Sequence, residues 1–167
     1  KQAFFFTRFK ELLLYSAVAL GIMQFYSETE KKRFRISCHL PMNEFLMTGN
    51  LALFGVVVLT ALWIFDTSAV YIATAKHFPY EFSSEIPVIM FYWYLESLVI
   101  YVFFAVFTLE PRWLEKVKIG LLLIGYTGLF GVSVYNSDRV LLLVSASLAI
   151  IFIPVLFYPA IRFRKGA

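Results

Sequence analysis

The stretch IPVIMFYWYLESLVIYVFFAVFTL, residues 86–109, decides the fold class. It is apolar from end to end apart from Glu96 and a few small polar residues. A helix of about 20 apolar residues crosses the roughly 30 Å of hydrocarbon in a bilayer. A transmembrane barrel would instead show strands of about 10 residues that alternate apolar and polar positions. No such alternation occurs in this stretch or in its counterparts.

Working outward, four further runs share this character. Residues 4–26 form one despite Arg8, Lys10 and Glu11, and 45–65 form the next. On the other side lie 117–135 and 140–161. The expected fold class is therefore all-α, a polytopic helical membrane protein of about five spans in a single transmembrane domain, 1–167. Composition agrees. Hydrophobic residues make up 60% of the 167 and charged residues only 16%, against about 45–50% and roughly 25% in soluble domains. Too little polar surface remains to enclose a core in water. An ordinary soluble globule, a disordered chain and a disulfide scaffold are excluded on this ground. The sole cysteine, Cys38, forms no internal disulfide.

The loops carry most of the charge. Residues 27–44, SETEKKRFRISCHLPMNE, are strongly polar. Residues 66–85 read as a mixed loop opened by Asp66, with a short interfacial helix at 68–76. If 27–44 faces the cytoplasm, that side holds ten Lys and Arg and the other side five, Lys10 among them. The positive-inside bias then places the C-terminus in the cytoplasm and the start of the chain outside. The net charge of +4 suits anionic lipid headgroups and does not by itself indicate nucleic acid. Tyr and Trp near the run ends read as an interfacial belt. Gly125, Gly128 and Gly131 give the fourth run a small-residue face, which predicts close packing on another helix.

Few residues offer chemistry. Glu96 is the one acid well inside an apolar run, and burying its charge costs several kcal/mol unless it is protonated or paired. It is either an ion-linked polar site or a hydrogen-bonding contact, with Ser97, Thr108 or a hydroxyl of another span as the expected partner. His39 and His77 fall on opposite predicted faces, so no shared metal or haem follows, and no cofactor is expected. No nucleophile triad, phosphate loop or ATP-binding motif is present. The chain is not expected to be an enzyme, and an ATP-driven activity would need a partner. In the 27–44 segment, Phe34, Ile36 and Leu40 can share one face of a short helix with basic residues opposite. Such a helix would lie in the interface or dock on a cytosolic partner.

The segment ETEKKRFRISCHLP, residues 28–41, resembles the elbow after the second span of ABC-2-type transporter permeases. That elbow opens with Glu and closes with Leu-Pro, matched here by Glu28 and Leu40-Pro41. Where many members have Gly-Thr, this chain has Lys32-Arg33. The resemblance implies a cytoplasmic coupling elbow that contacts an ATPase subunit, with Glu28, Arg33, Arg35, Ile36, Leu40 and Pro41 forming the partner-binding segment. It implies spans two to six of an exporter permease in a bacterial inner membrane, with a first span upstream of Lys1. A cytosolic ATPase and a second permease protomer would be its partners. The competing expectation is a non-catalytic membrane subunit of a larger respiratory or other membrane complex.

Overall fold

The computed structural model describes residues 7–30, 44–110, 112–136, 147, 153–158 and 161. Every regular element among them is helical. Helix α1 spans Thr7–Glu30, α2 Glu44–Ala75, α3 Tyr80–Leu109 and α4 Trp113–Asn136, and a 3-10 turn follows at Ile153–Leu156. Two stretches, Thr48–Ala75 and Ser83–Leu109, are long and apolar enough to cross a membrane.

The expected loop at 66–85 is largely absent. Helix α2 continues to Ala75 and α3 starts at Tyr80, so the connection shrinks to 76–79. The sequence reading stopped the helix at Asp66 because it is charged. Its side chain turns inward instead, and residues 66–75 contain neither Gly nor Pro to break the helix. The hydroxyls of Ser68 and Thr74 donate back to the carbonyls of Ile64 and Val70, at 2.7 and 2.8 Å, so these polar residues sit in the helix without opening its ladder. The chain leaves α2 only where the His77 and Phe78 N–H groups both close on the Thr74 carbonyl, ahead of Pro79.

Helix α3 begins behind Pro79, whose ψ of 152° is extended. Pro87 lies inside it, at the eighth residue, past the first turn, and so withholds an N–H that the helix ladder would use. It ends at Leu109 because Glu110 precedes Pro111, and a residue before proline is pushed out of the helical region. Glu110 is indeed extended, with φ −73° and ψ 121°, and its N–H still caps Val106 at 2.9 Å. Ahead of α4, the Arg112 N–H donates to Glu110 Oε1.

Helix α3 is the hub, packing against α1, α2, α4 and the 3-10 turn. One apolar cluster joins Ala17 and Phe25 of α1, Leu59 of α2 and Ile100, Tyr101 and Ala105 of α3. A second joins Leu13, Val70, Ile86, Met90 and Trp93. A third seats Tyr126 of α4 on Val99 and Phe103. The close helix contacts lie elsewhere than the sequence suggests. A Cβ at Gly125 or Gly128 would meet nothing within 4 Å, so these two glycines do not serve the packing expected of them. Helix α4 approaches α3 through Ile119, Leu123 and Tyr126, spaced as one helical face. The intimate glycines are Gly21 and Gly55. A Cβ on Gly21 would lie 2.9 Å from the Phe104 Cβ and 3.0 Å from the Tyr101 carbonyl oxygen. The expected fifth span, 140–161, lies mostly outside the described residues.

Candidate functional site

The polar groups inside the bundle define the site. Glu96, from the middle of α3, keeps only 4% of its side chain exposed. Its partner is neither Ser97 nor Thr108, whose hydroxyls donate to the Tyr94 and Phe104 carbonyls of their own helix. The partner is Lys10 of α1, with Nζ 3.0 Å from Glu96 Oε2. Lys10 was counted from sequence among the outer basic residues. Its long stem instead carries the ammonium down α1 to reach the acid. Tyr126 of α4 is buried nearby, against Val99 and Phe103 of the same helix.

A second polar knot sits further along the bundle. The Tyr101 hydroxyl donates to Gln24 Oε1 at 3.0 Å and lies 3.4 Å from the Ala52 carbonyl oxygen. The Gln24 amide nitrogen donates to the Leu51 carbonyl. Gln24 therefore bridges α3 to α2 with both ends of its amide, using a donor and an acceptor at once. The Leu51 carbonyl, inside helix α2, has a second lone pair free to accept the bond from Gln24. A third contact, Tyr94 Oη to Thr60 Oγ1 at 2.7 Å, ties α3 to α2 again. Thr60 donates its own proton to Val56, so Tyr94 is the donor. The Trp63 ring stacks on Tyr94 with centroids 5.1 Å apart.

Of the sequence-predicted partner-binding residues, Glu28 lies in the last turn of α1. Arg33, Arg35, Ile36, Leu40 and Pro41 lie outside the described residues. Lys10, Gln24, Tyr101 and Asp66 were missed as site residues. For Lys10 the signal existed, because a buried acid on one helix calls for a base on another. Nothing in the sequence singled out Gln24 or Tyr101. Among the described residues no group of His, Cys, Asp and Glu is arranged to hold a metal ion. The bonds and the ion pair can fix helix positions and hold charge away from water. They do not assemble a nucleophile with a base.

Comparison with protein-family models, with curated proteins and with solved structures finds no match for this chain.

Proposed function

We propose that this chain is an integral membrane protein of five spans and acts as the permease part of an ATP-driven exporter in a bacterial inner membrane. Its substrate pathway would be completed by a second permease protomer. ATP hydrolysis would reside in a cytosolic subunit docked on the 27–44 elbow. Support for the membrane setting comes from the distribution of polarity. Large apolar side chains point outward all around the bundle, with Tyr15, Met23 and Phe65 more than 70% exposed. Charged and amide groups such as Lys10, Gln24, Asp66 and Glu96 point inward. Water would favour the reverse arrangement, and hydrocarbon favours this one.

The observation that carries the permease reading is the position of the Gln24–Leu51–Tyr101 knot. The elbow joins the end of α1 to the start of α2. Gln24 lies six residues before the end of α1 and Leu51 seven after the start of α2, each about 10 Å from that end of its helix at 1.5 Å per residue. A push delivered at the elbow would therefore reach both helices where they are bonded to the hub helix. That is the mechanical requirement of a coupling elbow.

The test is co-purification with a cytosolic ATPase. Reversing charge at Arg33 and Arg35 should abolish ATPase association while membrane insertion stays normal. Undiminished ATPase binding by the double variant would refute the coupling role. A chain that purifies with redox or other membrane subunits and no ATPase would favour the complex-subunit reading.

A further inference from the structure

Among the described residues three acids are buried, and two of them have partners: Glu96 holds Lys10, and Glu110 Oε1 accepts the Arg112 N–H. Lys10 is committed to Glu96. Asp66 on α2 is 3% exposed, and its Oδ2 atom has no hydrogen-bond partner. Two neighbours on the same helix face share this condition, since Trp63 Nε1 and Thr67 Oγ1 are also buried without a partner. A helix brings positions three and four apart onto one face, so the three groups form a continuous unsatisfied polar strip. Buried polar groups without partners are rare and call for an occupant.

The surroundings of Asp66 follow from the register. Helices α2 and α3 run antiparallel, since Ala52 meets Tyr101 while Thr60 and Trp63 meet Tyr94. Asp66 is one turn past Trp63 and one turn before Val70, and both belong to the cluster around Met90 and Trp93. Among the described residues, the charged groups turned inward on the neighbouring helices are Lys10 of α1 and Glu96 of α3, which are paired with each other. Arg8 and Glu11 of α1 and Glu85 of α3 are exposed, while the Tyr94 hydroxyl is spent on Thr60. Lys10 is thus paired already and Asp66 Oδ2 has no partner of its own, while a buried charge must be paired or neutralised. We propose that Asp66, with Thr67 beside it, is an exchangeable site for one monovalent cation, a proton or an alkali ion, within the bundle. The site does not depend on how the chain is energised. It would belong equally to a permease or to a subunit of a larger complex.

The test uses the full chain in lipid, with aspartate isotopically labelled at its side-chain carboxyl. The chain has two aspartates, Asp66 and Asp138. Infrared spectra in alkali-free buffer at neutral pH should show the C=O band of a protonated carboxyl that moves with the label. The band should persist in D138N and E96Q and vanish in D66N. Added sodium or potassium that removes the band, with one ion taken up per chain, identifies an alkali ion as the exchanging partner. A band indifferent to these ions identifies the proton as occupant. A labelled band that survives D66N would overturn the proposal. So would a wild-type protein with no labelled band and no alkali-ion uptake, a result that does not depend on any variant folding.

Discussion

The ring of Tyr101 fills the space beside Gly55 so closely that a methyl group at position 55 would overlap it. Helix α2 thus presents bare backbone to a tyrosine whose hydroxyl bonds to Gln24 of α1. In a bilayer the lipid tails are as apolar as the helix surfaces, so association rests on close packing and interhelical hydrogen bonds. Both are concentrated at this pair.

Gly55→Ala should therefore lower stability. In a helix interior, alanine gains up to about 1 kcal/mol over glycine, but overpacking of a tight contact costs about 1–3 kcal/mol. The Tyr101 ring would also have to leave Gln24. Gly125→Ala is the matched control, because a Cβ there meets nothing. It should be neutral or slightly stabilising. Unfolding of both variants in the same detergent checks the contrast, and equal behaviour of the two would remove the special role of Gly55.

Tyr101→Phe keeps the ring and deletes the hydroxyl. A typical net loss for one hydrogen bond is about 0.5–1.5 kcal/mol. The deletion also leaves Gln24 Oε1 without its donor, so the upper half of that range is expected. A double-mutant cycle with Gln24→Leu should show a favourable coupling between the two residues. Strict additivity would mean that the bond contributes nothing.

The Lys10–Glu96 pair should respond asymmetrically. Lys10→Met strands a buried carboxylate, and breaking a buried pair from one side costs about 3–5 kcal/mol. Glu96→Gln leaves behind a lysine whose side chain is 26% exposed and can turn outward, so it should cost clearly less. Glu96→Ala should be worse than Glu96→Gln, since it also removes side-chain volume from a packed interface. The double variant Lys10→Met with Glu96→Gln should recover much of the loss of Lys10→Met alone. Thermal unfolding of the four proteins under one condition decides the order.

Orientation can be read with one reagent, because Cys38 is the sole cysteine and lies in the elbow. A membrane-impermeant maleimide should label it in inside-out vesicles and leave it unlabelled in intact cells. Labelling only from the outside would reverse the proposed topology and remove the elbow from the reach of a cytosolic ATPase.

What the sequence disclosed follows from the range of the forces involved. The helices were legible because hydropathy and the absence of breakers act over neighbouring residues. Their ends were less so. Asp66 marked a loop in the sequence reading, yet α2 passes through it, since a charge can be buried in a helix that tertiary contacts support. The glycines misled for the same reason. Gly125 and Gly128 form a recognisable pattern and meet nothing, while the isolated Gly21 and Gly55 lie at the tight contacts. Glu96 stood out as a buried acid, but choosing Lys10 over a nearby hydroxyl required the packing of α1 on α3. That packing is a long-range fact, absent from any local window.

The two polar fastenings between α1 and α3 have a mechanical consequence. Lys10 and Gln24 are fourteen residues apart on α1, about 21 Å along its axis, and each holds a different point of α3. A rod pinned at two separated points can neither slide nor swivel on its support. Helices α1 and α3 must then travel as one body, and α2 is clamped to them by Tyr94 and Tyr101. Helix α4 has a different status. It meets α3 through Ile119, Leu123 and Tyr126 and through Lys116, whose ammonium lies 5.2 Å from the Phe107 ring centroid, beside a small apolar cavity of about 60 Å³ lined by Val102, Phe103, Val106, Ile119, Leu122 and Val155. That cavity leaves the seam less completely filled than the contact of α1 with α3, where a Cβ on Gly21 would find no room.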